Sequence, residues 1–186
     1  MKLLVLAVIA LAGFVWLGGI ASADTRVVGD SLARQTYYES GGWYVNAVTG
    51  RALSESLPLV RRIATRHSQD NLVVALGSND VSSESASMAS DVSVAAAIPT
   101  GCTVITTVKV NGVTPFYSRF WKAHSRLWNQ AVRASGAVVA DWNAYSAERP
   151  GWFLADGLHL TGAGKRAYNN LLRRAVQGCP EDTTAA

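Results

Sequence analysis

The chain has 186 residues, 49% of them apolar and 16% charged, with a formal net charge of +4. That length suits one domain with a real core, and the composition excludes a disordered chain. The arginines cluster only at Arg61, Arg62 and Arg66 and at Arg173 and Arg174, which reads as solvated helix faces; no basic stripe with interleaved aromatics points to nucleic acid.

In chain order, Lys2 is followed by an uncharged apolar run, Leu3–Ile20, and then by Ala21-Ser22-Ala23. A basic start, an apolar stretch and a small-x-small end read as a secretory signal peptide over residues 1–23, cut after Ala23, and so as a secreted or extracytoplasmic protein. The run is also long enough for an N-terminal membrane anchor. The well-formed Ala-x-Ala end and the start of the first strand segment at Arg26 favour cleavage. If the segment is retained, the strand starts face the membrane and the opposite, active edge of a parallel sheet points away from it.

Residues 24–180 alternate short β-rich runs with longer helical patterns. Val27–Val28 begins a strand that ends at Gly29; Trp43–Val48, Leu72–Leu76, Thr103–Val108 and Ala137–Ala140 are four more. Leu53–His67 carries Leu53, Leu57, Val60 and Ile63 or Ala64 on one face at helical spacing, and Ser83–Ala97, Phe116–Ala134 and Ala163–Val176 are further helices. This alternation predicts an α/β domain, a parallel sheet with helices on both faces. Residues 181–186, acidic and rich in Thr and Ala, read as a disordered tail. Cys102 lies just before the fourth strand and Cys179 just after the last helix. An even count in an exported chain suggests a disulfide pinning that helix to the sheet, with two separate thiols as the alternative.

In such a sheet the working residues collect at the carboxyl edge. Polar, Gly-containing segments stand at that edge here: Gly29-Asp30-Ser31 after strand one, Thr49-Gly50 after strand two, Gly77-Ser78-Asn79-Asp80 after strand three, and Asp156-Gly157-Leu158-His159 before the last helix. Ser31 sits where a helix N-terminus favours negative charge, but a serine hydroxyl needs an adjacent base to act as a nucleophile; taken alone, the segment also suits a helix cap. His159 is a candidate base, with Asp156 three residues earlier to orient it. Asn79 offers a side-chain amide and Gly50 an unobstructed backbone N–H, so with the Ser31 N–H they can form an oxyanion hole. His67 and His124 lie in helical patterns and read as structural. No metal-ligand spacing appears.

As an ordered set, these segments resemble the SGNH (GDSL-like) hydrolase family. Its blocks stand here as Gly29-Asp30-Ser31-Leu32, Gly50, Gly77-Ser78-Asn79-Asp80 and Asp156-Gly157-Leu158-His159. The resemblance implies a three-layer α/β/α sandwich over residues 24–180, with a flavodoxin-like five-stranded parallel sheet in the order 2-1-3-4-5. It implies Ser31 as nucleophile, His159 as base, Asp156 as its partner, and Ser31, Gly50 and Asn79 as oxyanion donors, with no cofactor and no metal. Gly29-Asp30-Ser31-Leu32-Ala33 is also similar to the nucleophile elbow of α/β-hydrolases. That fold places several strands before its serine, for which a chain cut after Ala23 has no room. The short interval between Ser31 and Gly50 implies a short first helix and a shallow, open cleft.

The activity implied is hydrolysis of a short-chain ester, such as acetyl, through an acyl-enzyme on Ser31. The segment from Trp152 to Thr161 resembles SGNH domains linked to bacterial membrane acyltransferases that decorate cell-wall sugars, so the expected ester is an acylated glycan, with a lipid ester as the alternative. Tyr37, Tyr38, Trp43 and Trp152 either border the cleft or pack. An O-acetyltransferase acting on cell-wall polysaccharide uses the same residues, and a non-catalytic glycan-binding module on the same scaffold is the third reading. The expected protein is a monomer with no nucleic acid partner, and meets a membrane only if its N-terminal segment is uncleaved.

Overall fold

The protein is described here by a computed structural model over residues 23–36, 40–83, 87–110 and 119–180. The proposed signal segment up to residue 22, Tyr37, Tyr38, residues 116–118 of the expected fourth helix and the tail 181–186 lie outside the described residues.

The runs richest in β-branched and apolar residues form the middle of the sheet. These are β1 (Thr25–Gly29), β3 (Asn71–Ala75) and β4 (Cys102–Thr106), with β4 buried along its whole length. The flanking strands β2 (Tyr44–Ala47) and β5 (Val138–Ala140) are more exposed, as suits positions at the sheet margins. All neighbours pair in parallel, in the order β2-β1-β3-β4-β5. Helix α1 (Ser31–Thr36) packs against α6 (Gly162–Gln177), whereas α2 (Leu53–Arg66), α3 (Met88–Ala96) and α4 (Arg119–Ala134) pack in a row. Right-handed crossovers put these two groups on opposite faces of the sheet, which gives the flavodoxin-like α/β/α sandwich.

Register brings the site segments together. Gly29 pairs with Ala47 on one side and with Ala75 on the other, so the chain leaves β1, β2 and β3 at the same level. The core behind them is apolar: Val28, Leu53, Val60, Val73, Val74 and Ile105 are completely buried.

Two elements differ from the sequence expectation. Of the helix expected over Ser83–Ala97, Met88–Ala96 is helical, Ser83 and Ser87 lie in turns, and residues 84–86 lie outside the described residues. Before α3, Ser82 Oγ and Ser83 Oγ donate to the carbonyls of Asn79 and Asp80, three residues back, and residues 78–83 form turns. Serines compete in this way for backbone acceptors and favour turns over helix interiors. A short α5 (Trp142–Tyr145) and a 3-10 turn (Pro150–Trp152) also fill the interval after β5, too short to show helical periodicity. The two cysteines do form a bridge, from the first residue of β4 to just beyond α6. Among the described residues no helix is long and apolar enough to cross a membrane.

Candidate active site

Ser31 is the first residue of α1, one residue, Asp30, after the end of β1. Gly29 owes its place here to space, not to a left-handed turn: a Cβ would stand 2.3 Å from that of Ala33, so only glycine lets α1 fold so closely onto its strand. Asp30 then turns inward. Its Oδ1 accepts the Leu32 N–H at 2.9 Å and its Oδ2 accepts the Ser78 hydroxyl at 2.5 Å. Burial pushes this carboxyl up to about 6, opposed by those bonds, and the nearby Asp80 charge adds to the rise.

His159 reaches Ser31 from the loop before α6. Its Nε2 lies 3.2 Å from Ser31 Oγ and its Nδ1 2.7 Å from Asp156 Oδ2. The other Asp156 oxygen accepts the backbone N–H groups of Leu158 and His159, both at 2.9 Å. Burial pushes the Asp156 carboxyl up, but the Leu158 N–H, the His159 ring and the His159 N–H outweigh it and hold it below the usual carboxylate range. Asp156 is thus kept ionised beside the imidazole while its own geometry is fixed by the backbone. The loop is held in shape by Leu154 N–H to His159 O at 2.7 Å and by an antiparallel bridge between Phe153 and Leu160. The sequence Ser31–His159–Asp156 is therefore a continuous line of hydrogen-bonded groups, of the kind that moves a proton off a serine.

Gly50 and Asn79 stand on neighbouring loops. Gly50 has φ +81°, and nothing lies within 4 Å of where a Cβ would be. The Asn79 amide donates to the Arg51 carbonyl at 3.0 Å and to Ser78 Oγ at 3.3 Å, which ties the two loops together. The Asn79 loop is set by Gly77, with φ +115°, where a Cβ would fall 2.3 Å from the Trp128 ring. Trp128 is fully buried and donates to the Thr106 carbonyl, so its ring cannot yield. A depression of about 350 Å³, lined by Val48, Thr49, Gly50, Arg51, Glu55 and neighbouring α2 residues, opens to solvent beside Gly50.

Several supporting residues were not assigned a role from sequence. Asp80 accepts the N–H groups of Leu53 at 3.0 and 2.9 Å and of Ser54 at 3.3 Å, capping α2 from the neighbouring loop. Arg51 Nη1 donates to Asn46 O at 2.6 Å and Asn46 Oδ1 at 3.0 Å, over the end of β2. Gln35 Oε1 accepts the Leu160 N–H at 3.0 Å. Asp80 and Ser78 were visible as polar residues at the end of an apolar strand, but their partners lie 27 and 48 residues away, and no local pattern signals such pairs. Trp43 lies under Arg173, and Trp152 stacks on Trp142 with centroids 5.7 Å apart; both pack against the core. His67 pairs with Asp70 and His124 meets the Val81 carbonyl, away from this cluster.

No known family model and no curated protein sequence matches the chain. Solved structures do. The C-terminal catalytic domain of Streptococcus pneumoniae peptidoglycan O-acetyltransferase A, solved with a methylsulfonyl adduct, is 17% identical with a TM-score of 0.70, covering 85% of this chain and 94% of that one. A GDSL-like lipase from Bacteroides thetaiotaomicron is 16% identical with a TM-score of 0.62, over 83% and 87% of the two chains. An acetyl xylan esterase from Geobacillus stearothermophilus is 13% identical with a TM-score of 0.60, over 86% and 96%. The matches run consistently through the SGNH/GDSL hydrolase superfamily and include a cell-wall acyltransferase domain, and this chain has their fold.

Proposed function

We propose that the protein is an exported serine esterase that cleaves short acyl esters, acetyl above all, from a glycan. The coarser statement, acyl hydrolysis or transfer, is supported by the fold shared with esterases, lipases and an acyltransferase domain. The finer one rests chiefly on one observation, the line Ser31 Oγ–His159 Nε2, 3.2 Å, and His159 Nδ1–Asp156 Oδ2, 2.7 Å, at the carboxyl edge of the sheet.

In this reading Ser31 Oγ attacks the ester carbonyl carbon as His159 Nε2 takes its proton. The imidazolium that forms is stabilised by Asp156, held ionised by its backbone donors. Negative charge gathers on the former carbonyl oxygen, where the N–H groups of Ser31 and Gly50 meet it, and the Asn79 amide joins them by releasing its longer bond to Ser78 Oγ at 3.3 Å. Each such donor typically contributes about 3 kcal/mol. The tetrahedral species collapses, His159 gives its proton to the leaving alcohol, and an acyl-enzyme remains on Ser31. Water then releases the acid. Residues 1–23 act as the export signal, and the mature protein works outside the cytoplasm.

A second reading, transfer of the acyl group to a sugar hydroxyl of a cell-wall polysaccharide, is favoured by the likeness to the peptidoglycan O-acetyltransferase domain and by the open depression beside Gly50. The deciding experiment is release of chromophore from a short-chain aryl acetate by the mature protein beside Ser31→Ala, repeated with a glycan acceptor. Free acetate that disappears with Ser31→Ala supports the esterase; acetylated glycan in its place supports the transferase. Equal signals from both proteins reject both readings.

A further inference from the structure

The loop that carries His159 closes mostly upon itself. Leu154 N–H bonds to His159 O, Gly157 N–H to Leu154 O, and Asp156 Oδ1 takes the N–H groups of Leu158 and His159. Past the loop, Thr161 N–H returns to Trp152 O and Thr161 Oγ1 caps α6 at the Gly164 N–H. None of these bonds fixes the loop relative to the nucleophile. Among the hydrogen bonds of the described residues, two cross from this loop to α1. One is Ser31 Oγ to His159 Nε2 at 3.2 Å; the other is Leu160 N–H to Gln35 Oε1 at 3.0 Å.

Their fates during turnover differ. Resting on the proposed serine-esterase reading, the first bond is lost when Ser31 becomes acylated, because its oxygen then carries the acyl group and has no proton to share. The second takes no part in proton transfer and persists. Gln35 stands one helical turn beyond Ser31 on α1, and Leu160 directly follows His159, its side chain buried in the core. The Leu160–Gln35 bond therefore ties the base to the nucleophile helix when the base has lost its serine.

We infer that Gln35 is a positioning residue for deacylation, holding His159 over the acyl-enzyme through the Leu160 N–H. In that step a water oxygen attacks the acyl carbonyl carbon while His159 Nε2 takes a water proton. The bond from that carbon to Ser31 Oγ breaks, Ser31 Oγ takes the proton back from His159, and the free acid leaves. During acylation the Ser31–His159 bond itself aligns the base, so that step depends less on Gln35.

Acylation and deacylation are measured separately by rapid mixing of the mature protein with an aryl acetate. Gln35→Leu and Gln35→Ala remove the acceptor; Gln35→Glu keeps an oxygen acceptor. The acceptor-less variants are expected to deacylate about tenfold more slowly with acylation within twofold. Their kcat and KM then fall together while kcat/KM holds, and acetyl-enzyme accumulates. Gln35→Glu restores deacylation to within about threefold. Deacylation unchanged in Gln35→Leu and Gln35→Ala overturns the inference, as does equal slowing of both steps or a failure of Gln35→Glu to restore. A wild-type protein that forms no acetyl-enzyme on Ser31 removes the catalytic reading itself, an outcome distinct from a normal wild type with insensitive Gln35 variants.

Discussion

The two edges of the sheet are held by different means. At the carboxyl edge, carboxylates accept backbone N–H groups: Asp30 that of Leu32, Asp80 those of Leu53 and Ser54, Asp156 those of Leu158 and His159. At the amino edge the ties are a disulfide from Cys102 to Cys179 and an ion pair from Arg26 to Asp70 at 2.6 Å, with His67 beside it. Backbone-bound carboxylates fix the shape of loops, whereas charge pairs and cross-links hold elements together without shaping a cleft. Changes at the first edge should therefore move activity more than stability, and changes at the second the reverse.

The strongest way to break this contrast is at the proposed reacting groups. Ser31→Ala or His159→Gln should lower kcat for an aryl acetate by about 10⁴-fold or more with an unfolding midpoint close to wild type. Loss of folding instead would make these side chains structural. Removing the disulfide by joint Cys102→Ser and Cys179→Ser changes should cost about 4 kcal/mol of stability, from the long chain segment the bond closes. Below the variant's melting range kcat should stay within twofold, and chemical denaturation with parallel assays checks both.

Asp30→Asn sharpens the comparison because the two effects should have opposite signs. The folded carboxyl titrates at about 6, above an ordinary aspartate, so the native state binds this proton more tightly than the unfolded chain does. Its contribution is fully present below the unfolded value, about pH 4, and is lost as pH rises through about 6. An amide in its place does not ionise, so the variant should gain up to about 3 kcal/mol relative to wild type by pH 8, and little at pH 4. Its kcat should fall nonetheless, because the amide presents an N–H where Ser78 donates. A variant that loses stability at pH 8 would show that the Leu32 and Ser78 bonds outweigh the burial of the charge. The smallest effect belongs to Asp70→Asn, which should cost about 1 kcal/mol, less at high salt, and leave kcat alone.

The legibility of the molecule follows the same division. The five strands and the four polar segments could be read because apolar runs and the residues ending them are local patterns, whereas the order of the strands came only from the family resemblance. Val73 and Val74, for example, announce a buried strand without knowledge of their neighbours. The approach of His159 to Ser31 was read through the resemblance of ordered motifs; the intervals themselves say nothing of a contact across 128 residues. Gln35 and Ser78 were missed as participants because their partners lie far along the chain, and a glutamine on a helix or a serine in a turn has an ordinary local explanation. The helix expected from Ser83 starts later for a related reason: a composition rich in Ser and Ala suggests a helix, while Ser82 and Ser83 sit in turns and bond back to the Asn79 and Asp80 carbonyls.

The position of the disulfide divides the proposed machinery into two covalent territories. Asp156 and His159 lie within the ring that Cys102 and Cys179 close; Ser31, Gly50 and Asn79 lie on the linear arm that precedes it. One peptide cut inside the ring leaves every site residue on a single covalent molecule until a reductant is added. One cut in the arm between Asn79 and Cys102 leaves Ser31, the proposed nucleophile, and His159, its proposed base, joined by packing and hydrogen bonds alone. Where a protease nicks this protein thus decides whether the damage is concealed by the cross-link or divides the proposed active site in two.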